Sequence, residues 1–143
     1  MSDEERLKEG ALEMQLLDQQ MRALQKQLAS VELQLAELRS SIEGLDAFSK
    51  VEPGQDVLVP VVGGMFVASQ IVEPKKLMVN VGAGTVVECS IDDAKVLLER
   101  QLAELSSYRE RLLTGMLQLS SRAKALESEL TRLLKEVEQK THA

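Results

Sequence analysis

Apolar residues recur through the first third of the chain at alternating three- and four-residue steps, the mark of a helix with one buried stripe. One row is Leu7, Met14, Met21, Leu28, Leu35 and Ile42. The other is Gly10, Leu17, Leu24, Val31, Leu38 and Leu45, with Gly10 its one non-hydrophobic member. A seven-residue repeat kept up over about six heptads predicts a coiled coil. Ser2 and Glu5 have the spacing of a capping box, and Gly44 and Pro53 bracket the helix end. The last third repeats the pattern, with Lys95, Leu102, Arg109, Met116, Ala123, Leu130 and Val137 in a-type positions. Its d-type positions are Leu98, Leu105, Leu112, Leu119, Leu126 and Leu133, and Ser90 with Asp93 marks its start. Each helix would be roughly 65–75 Å long. Matched lengths and one compact connection predict an antiparallel pair. Leu28 should then meet Leu112, Met21 Leu119, Met14 Leu126 and Leu7 Leu133, with both chain termini at a free end.

Between the helices the period changes. Val57–Val62, Met65–Val72, Lys76–Val81 and Thr85–Cys89 are β-branched runs separated by turn residues. Gly63-Gly64 suits a hairpin turn needing positive φ, Glu73-Pro74-Lys75 makes a second turn, and Gly82-Ala83-Gly84 a third. Two consecutive β-hairpins are expected, with Pro60 confined to an edge because it cannot donate to a ladder. The organisation is thus an N-terminal coiled-coil helix over 1–48, two hairpins over 55–90 and a C-terminal coiled-coil helix over 91–140. The fold class is mainly α: a long antiparallel two-helix coiled coil carrying a four-stranded insert.

About 35 residues in four short strands bury too little apolar surface to stand alone. Val57, Val59 and Val61 should share one face, and Leu77, Val79 and Val81 another. These six, with Phe66 and Val87, are the expected oligomerisation residues, and docking hairpins from several subunits into a shared β-barrel would cover them.

Composition narrows the function. Aromatic residues are 2% of the chain and Trp is absent, which is the composition of long helices and not of an aromatic-rich core. A net charge of −6 argues against broad attraction to nucleic acid or anionic membrane. The charged N-terminus lacks a signal peptide's apolar stretch and no run is long enough to cross a bilayer, so a soluble, cytoplasmic protein is expected. One cysteine, Cys89, allows no internal disulfide and reads as a buried structural thiol. The one histidine, His142, stands next to the last residue, which leaves no histidine-based triad or metal cluster. Gly82-Ala83-Gly84 lacks the lysine and further glycines of a phosphate loop. No enzyme, cofactor or metal is expected.

The segment DVLVPVVGGMFVASQIVEPKKLMVNVGAGTVVECSIDDAKVLLERQLAEL resembles prefoldin, and its two hairpins resemble the α-type subunit of archaeal prefoldins. The motifs of most weight are Val57 to Pro60, Val79 to Gly84 with Val87-Glu88, and the Asp93-Ala94 entry to the second helix. Thr85-Val86 departs from the pattern, since relatives often carry an aromatic after the second glycine. The resemblance implies a hexamer of two α-type and four single-hairpin β-type subunits. It also implies a holdase that captures non-native polypeptides at coiled-coil tips without ATP and passes them to a group II chaperonin. The competing reading is a structural coiled-coil scaffold or spacer.

Leucines outside the seam bear on the tip. Leu12, Leu16 and Leu134 fall off the a and d rows near the two termini. With Leu7, Met14, Leu17, Met21, Leu126, Leu130, Leu133 and Val137 they form the expected client-binding cluster. Gly10 opposite Leu130, and Ala123 opposite Leu17, should leave shallow gaps that let the last turns splay. Arg109 and Lys95 at a-type positions should lower stability and set register or oligomer state, Arg109 lying opposite Val31 with its head turned outward.

Overall fold

The computed structural model describes residues 2–142; the side chain of His142, on which the argument against a histidine site turns, lies outside what is described. The elements run α1 (Asp3–Phe48), β1 (Asp56–Val62), β2 (Met65–Gln70), β3 (Lys76–Gly82), β4 (Thr85–Ser90) and α2 (Ile91–His142). Both helices begin as their sequences predict. Ser2 Oγ accepts from the Glu5 amide at 3.2 Å, and Ser90 Oγ from the Asp93 amide at 3.1 Å. Each cap satisfies an otherwise orphaned N–H, and acidic first turns complement the helix dipole. The chain divides into two compact units, one of Met1–Leu33 with Leu105–Ala143 and one of Gln34–Glu104.

In the first unit the two helical segments run antiparallel. Moving along α1, Asp3 pairs with Lys140, Glu13 with Arg122 and Glu32 with Arg109, so the partner numbers fall as the α1 numbers rise. Every a and d position of this unit is buried or half-buried, with Leu17, Val31, Leu112, Leu126 and Leu133 forming the dry centre. The expected gap at Gly10 is absent. Gly10 is itself buried, and Leu130 lies directly on it: a Cβ at residue 10 would stand 2.2 Å from Leu130 Cδ2. Glycine there admits a neighbouring side chain and leaves no void. Arg109 is half-buried, and its guanidinium turns outward to Glu32, the residue after buried Val31, with Glu110 3.6 Å away.

The second unit carries the hairpins and the helix ends that flank them. β1 pairs with β2 from Asp56↔Gln70 to Pro60↔Phe66, and β3 with β4 from Lys76↔Ser90 to Asn80↔Val86, both antiparallel. They are separate two-stranded sheets, so every strand is an edge and Pro60 costs no inner ladder bond. β2 stops at Gln70, short of the expected Val72: Ile71 still bonds back to the segment before β1, its N–H donating to Gln55 O at 3.0 Å and its O accepting from Gly54 at 2.7 Å, but two residues there face one and the regular ladder ends. Each hairpin has an irregularity before its turn, at Val61 and at Val81. The first interrupts the alternation that grouped Val61 with Val59, whereas Val81 still lines one hollow with Leu77 and Val79.

The turns also differ from expectation. In the first, Gly64 has φ +76° while Gly63 keeps an ordinary φ. In the third, Gly82, Ala83 and Gly84 have φ of +98°, +52° and +72°. Ala83 occupies a left-handed region where its Cβ meets the following carbonyl, at a cost of about 1 kcal/mol. Asn tolerates that region, and Asn-Gly is the preferred pair for such a turn. Ala83→Asn should therefore raise the unfolding midpoint by an amount on the order of 1 kcal/mol. A lower midpoint at the same protein concentration would show that this turn holds no such strain.

Candidate functional site

Exposed apolar side chains gather in two places, one in each unit. In the second unit the pleat puts Leu77 and Val79 of β3 on one face with their cross-strand partners Cys89 and Val87. That face and the adjoining helix ends enclose an open hollow of ≈ 710 Å³, whose walls include Leu45, Phe48 and Leu98. Lining it is almost wholly a matter of carbon. The opposite face of this hairpin is mixed: Met78 and Val86 alternate with Asn80, and Lys76 sits 4.0 Å from Glu88. Hairpin β1–β2 has polar residues only at its base. Val57, Val59 and Val67 share one face with Ser69, and Leu58, Pro60, Phe66 and Ala68 share the other with the Asp56–Gln70 pair. Leu58, Val59, Phe66 and Val67 are all exposed.

The eight residues assigned to oligomerisation fall here. Val57 and Leu77 are half-buried, while Val59, Val61, Phe66, Val79, Val81 and Val87 are exposed. Leu58, Met65, Val67 and Met78 are equally exposed and were not singled out. Their signal was present, since apolar side chains stand at odd and even strand positions alike. Phe48 was also missed; it stands three residues beyond Leu45, one turn further along the same side of α1. Cys89 is half-buried and lines the hollow, with its thiol donating to Ser90 O at 3.3 Å. The expected full burial is corrected, because the hollow is open in the single chain.

The second surface lies in the first unit, at the paired ends of α1 and α2. Leu12, Leu16 and Leu134 are 62%, 57% and 51% exposed. Leu17, Leu126 and Leu133 are instead buried in the seam, and Leu7, Met14, Met21, Leu130 and Val137 are half-buried. Counting heptads from Leu7 as a, Leu12 and Leu16 take f and c positions on the outer side of α1, whereas Leu134 takes an e position beside the seam. The exposed trio is not one face.

Charges tie this end together. Arg122 donates to both carboxylate oxygens of Glu13, at 2.7 and 3.0 Å, and Lys140 donates to Asp3 at 2.9 Å. The hydrogen bond from Lys140, with its charge, holds the Asp3 carboxyl below its ordinary range, and Arg122 does the same for Glu13; partial desolvation opposes both shifts. Lys140 and Arg122 are pushed up in return. Glu13 and Arg122 are both g positions, which face each other across an antiparallel pair, and that spacing could have disclosed their contact. In the second unit Lys95 pairs with Asp46 in the same manner. Among the described residues no group of three or more His, Cys, Asp or Glu could hold a metal ion, and no helix is long and apolar enough to cross a membrane.

A family model described as prefoldin subunit matches residues 17–136. Similar proteins include prefoldin subunit alpha of Pyrococcus horikoshii, 33% identical over 94% of this chain and 88% of that protein. Prefoldin subunit alpha of Thermofilum pendens is 32% identical over 84% of this chain and 93% of its own length. That of Archaeoglobus fulgidus is 27% identical over 91% of this chain and 95% of its own. Among solved structures, filamentous PFD from Methanocaldococcus jannaschii has the same fold, with a TM-score of 0.67, 23% identity, and coverage of 81% of this chain and 96% of that one.

Proposed function

The chain belongs to the prefoldin family, and on that premise we propose that it is the two-hairpin subunit of an ATP-independent holdase. It joins single-hairpin β-type subunits in a hexamer of two α and four β chains, the hairpins closing into shared β-barrels. The complex works in the cytoplasm, shielding non-native polypeptides at the coiled-coil tips and passing them to a group II chaperonin. What supports assembly is the hairpin with exposed apolar side chains on both faces, together with the open hollow beside the other; neither surface is covered within one chain. What supports a binding role is the set of exposed leucines at the paired helix ends, beside methionines that repack readily around varied apolar sequences.

The observation that carries the reading is the family match over both helices and both hairpins. The test is suppression of aggregation of two unrelated denatured proteins by the assembled complex. Leu12→Ser, Leu16→Ser and Leu134→Ser together should weaken suppression several-fold while light scattering shows the hexamer intact. Leu133, buried in the seam, is left unchanged so that the helices stay paired. Suppression unaltered by the triple substitution would remove these leucines from the client surface. Binding restricted to a single folded protein would favour a scaffold.

A further inference from the structure

We infer that the Glu13–Arg122 and Asp3–Lys140 ion pairs are a latch that sets how readily the tip seam opens to a client. This rests on the holdase reading and adds to it a means of control. The continuous apolar surface at this end lies within the seam and not outside it. Leu12 and Leu16 point away on α1 and Leu134 sits on another flank, so they offer separate footholds. Leu17, Leu126 and Leu133 are buried between the helices, continuous with half-buried Leu7, Met14, Leu130 and Val137. An extended apolar segment can reach that surface once the last heptads part.

Leucine packing in the seam opposes such an opening, but it thins at two positions. Leu130 closes on Gly10, which offers no side chain in return, and Ala123 contributes one methyl group to the seam. A glycine inside a helix also lowers the propensity of that segment to stay helical. The lateral ties are electrostatic. Arg122 forks onto both oxygens of Glu13, a geometry that holds two helices at one spacing and register. Lys140 fastens Asp3 at the first turn of α1. All four side chains contact solvent, so the ties are modest in strength, screened by salt, and suited to tuning a local equilibrium.

The experiment uses the complete hexamer and two unrelated denatured proteins as probes. Glu13→Gln and Arg122→Gln should each raise capture, lowering the complex concentration needed for half-suppression by about two- to fivefold. The charge-swapped double variant, Glu13→Arg with Arg122→Glu, should return it to the wild-type value, which loss of helix stability alone would not do. A disulfide across the seam gives the converse. Gly10→Cys with Leu130→Cys, in a Cys89→Ser background, should lose capture when oxidised and regain it on reduction. Unchanged or weaker capture in both single variants overturns the latch, as does equal capture in the oxidised and reduced forms. No suppression by the wild-type hexamer overturns the holdase reading itself, and the latch with it.

Discussion

Leu58→Lys combined with Val79→Lys should leave a helical chain that no longer assembles. Each substitution puts an ammonium group on one hairpin, at a position exposed in the isolated chain. Neither removes a backbone ladder bond, so both hairpins and both helices keep their internal hydrogen bonding. The cost falls on the contact between subunits. Burying a Leu or Val side chain contributes about 1.5–3 kcal/mol. An unpaired ammonium carried into the same apolar surroundings reverses that gain and adds a desolvation penalty. Two such penalties per chain oppose assembly at both hairpins. Light scattering after mixing with single-hairpin subunits should report the mass of a single chain, while far-ultraviolet circular dichroism stays strongly helical. A hexamer that forms normally would show that these faces are not where subunits meet.

Leu35→Ala should lower stability by about 2 to 5 kcal/mol, whereas Leu33→Ala, two residues away, should change it by less than about 0.5 kcal/mol. The contrast follows from burial. Leu35 is 1% exposed and among the largest fully buried side chains, so truncation removes apolar contact and leaves a cavity that a helix pair cannot close. Leu33 is 63% exposed on the outer side of α1, and Leu and Ala have nearly equal helix propensity. Unfolding midpoints should be compared at one protein concentration, because assembly makes them concentration-dependent. Equal shifts in the two variants would mean that the seam does not run along the a and d rows described above.

The two predictions draw on different sources of information. Leu35 and Leu33 could be assigned opposite fates from spacing alone, and every a and d position read from the repeat is buried or half-buried. Helix starts were legible for a similar reason: Ser2 and Ser90 each act on an amide three residues away, inside the reach of local sequence. The hairpins were legible as strands, and their need for partners followed from their size and apolar content. Their faces were legible less well. The irregularity at Val61 interrupts the alternation while Val81, at the matching point, keeps to the side of Leu77 and Val79, and a bulge depends on how the opposite strand and turn fit together.

The tip shows where such reading stops. A heptad repeat says which side of a helix is buried, because 3.6 residues per turn align that side without reference to a partner. It does not say how closely two side chains from opposite ends of the chain approach. Gly10 and Leu130 therefore read as a gap in the sequence and are a tight contact in the structure. The fork of Arg122 on Glu13 likewise requires two rotamers, one interhelical distance and one register to agree. By itself the sequence determined two heptad helices, their caps, and a strand insert that needs company. Tertiary structure decided how the helix ends close and which charges tie them, since those depend on distances between residues that no local period encodes.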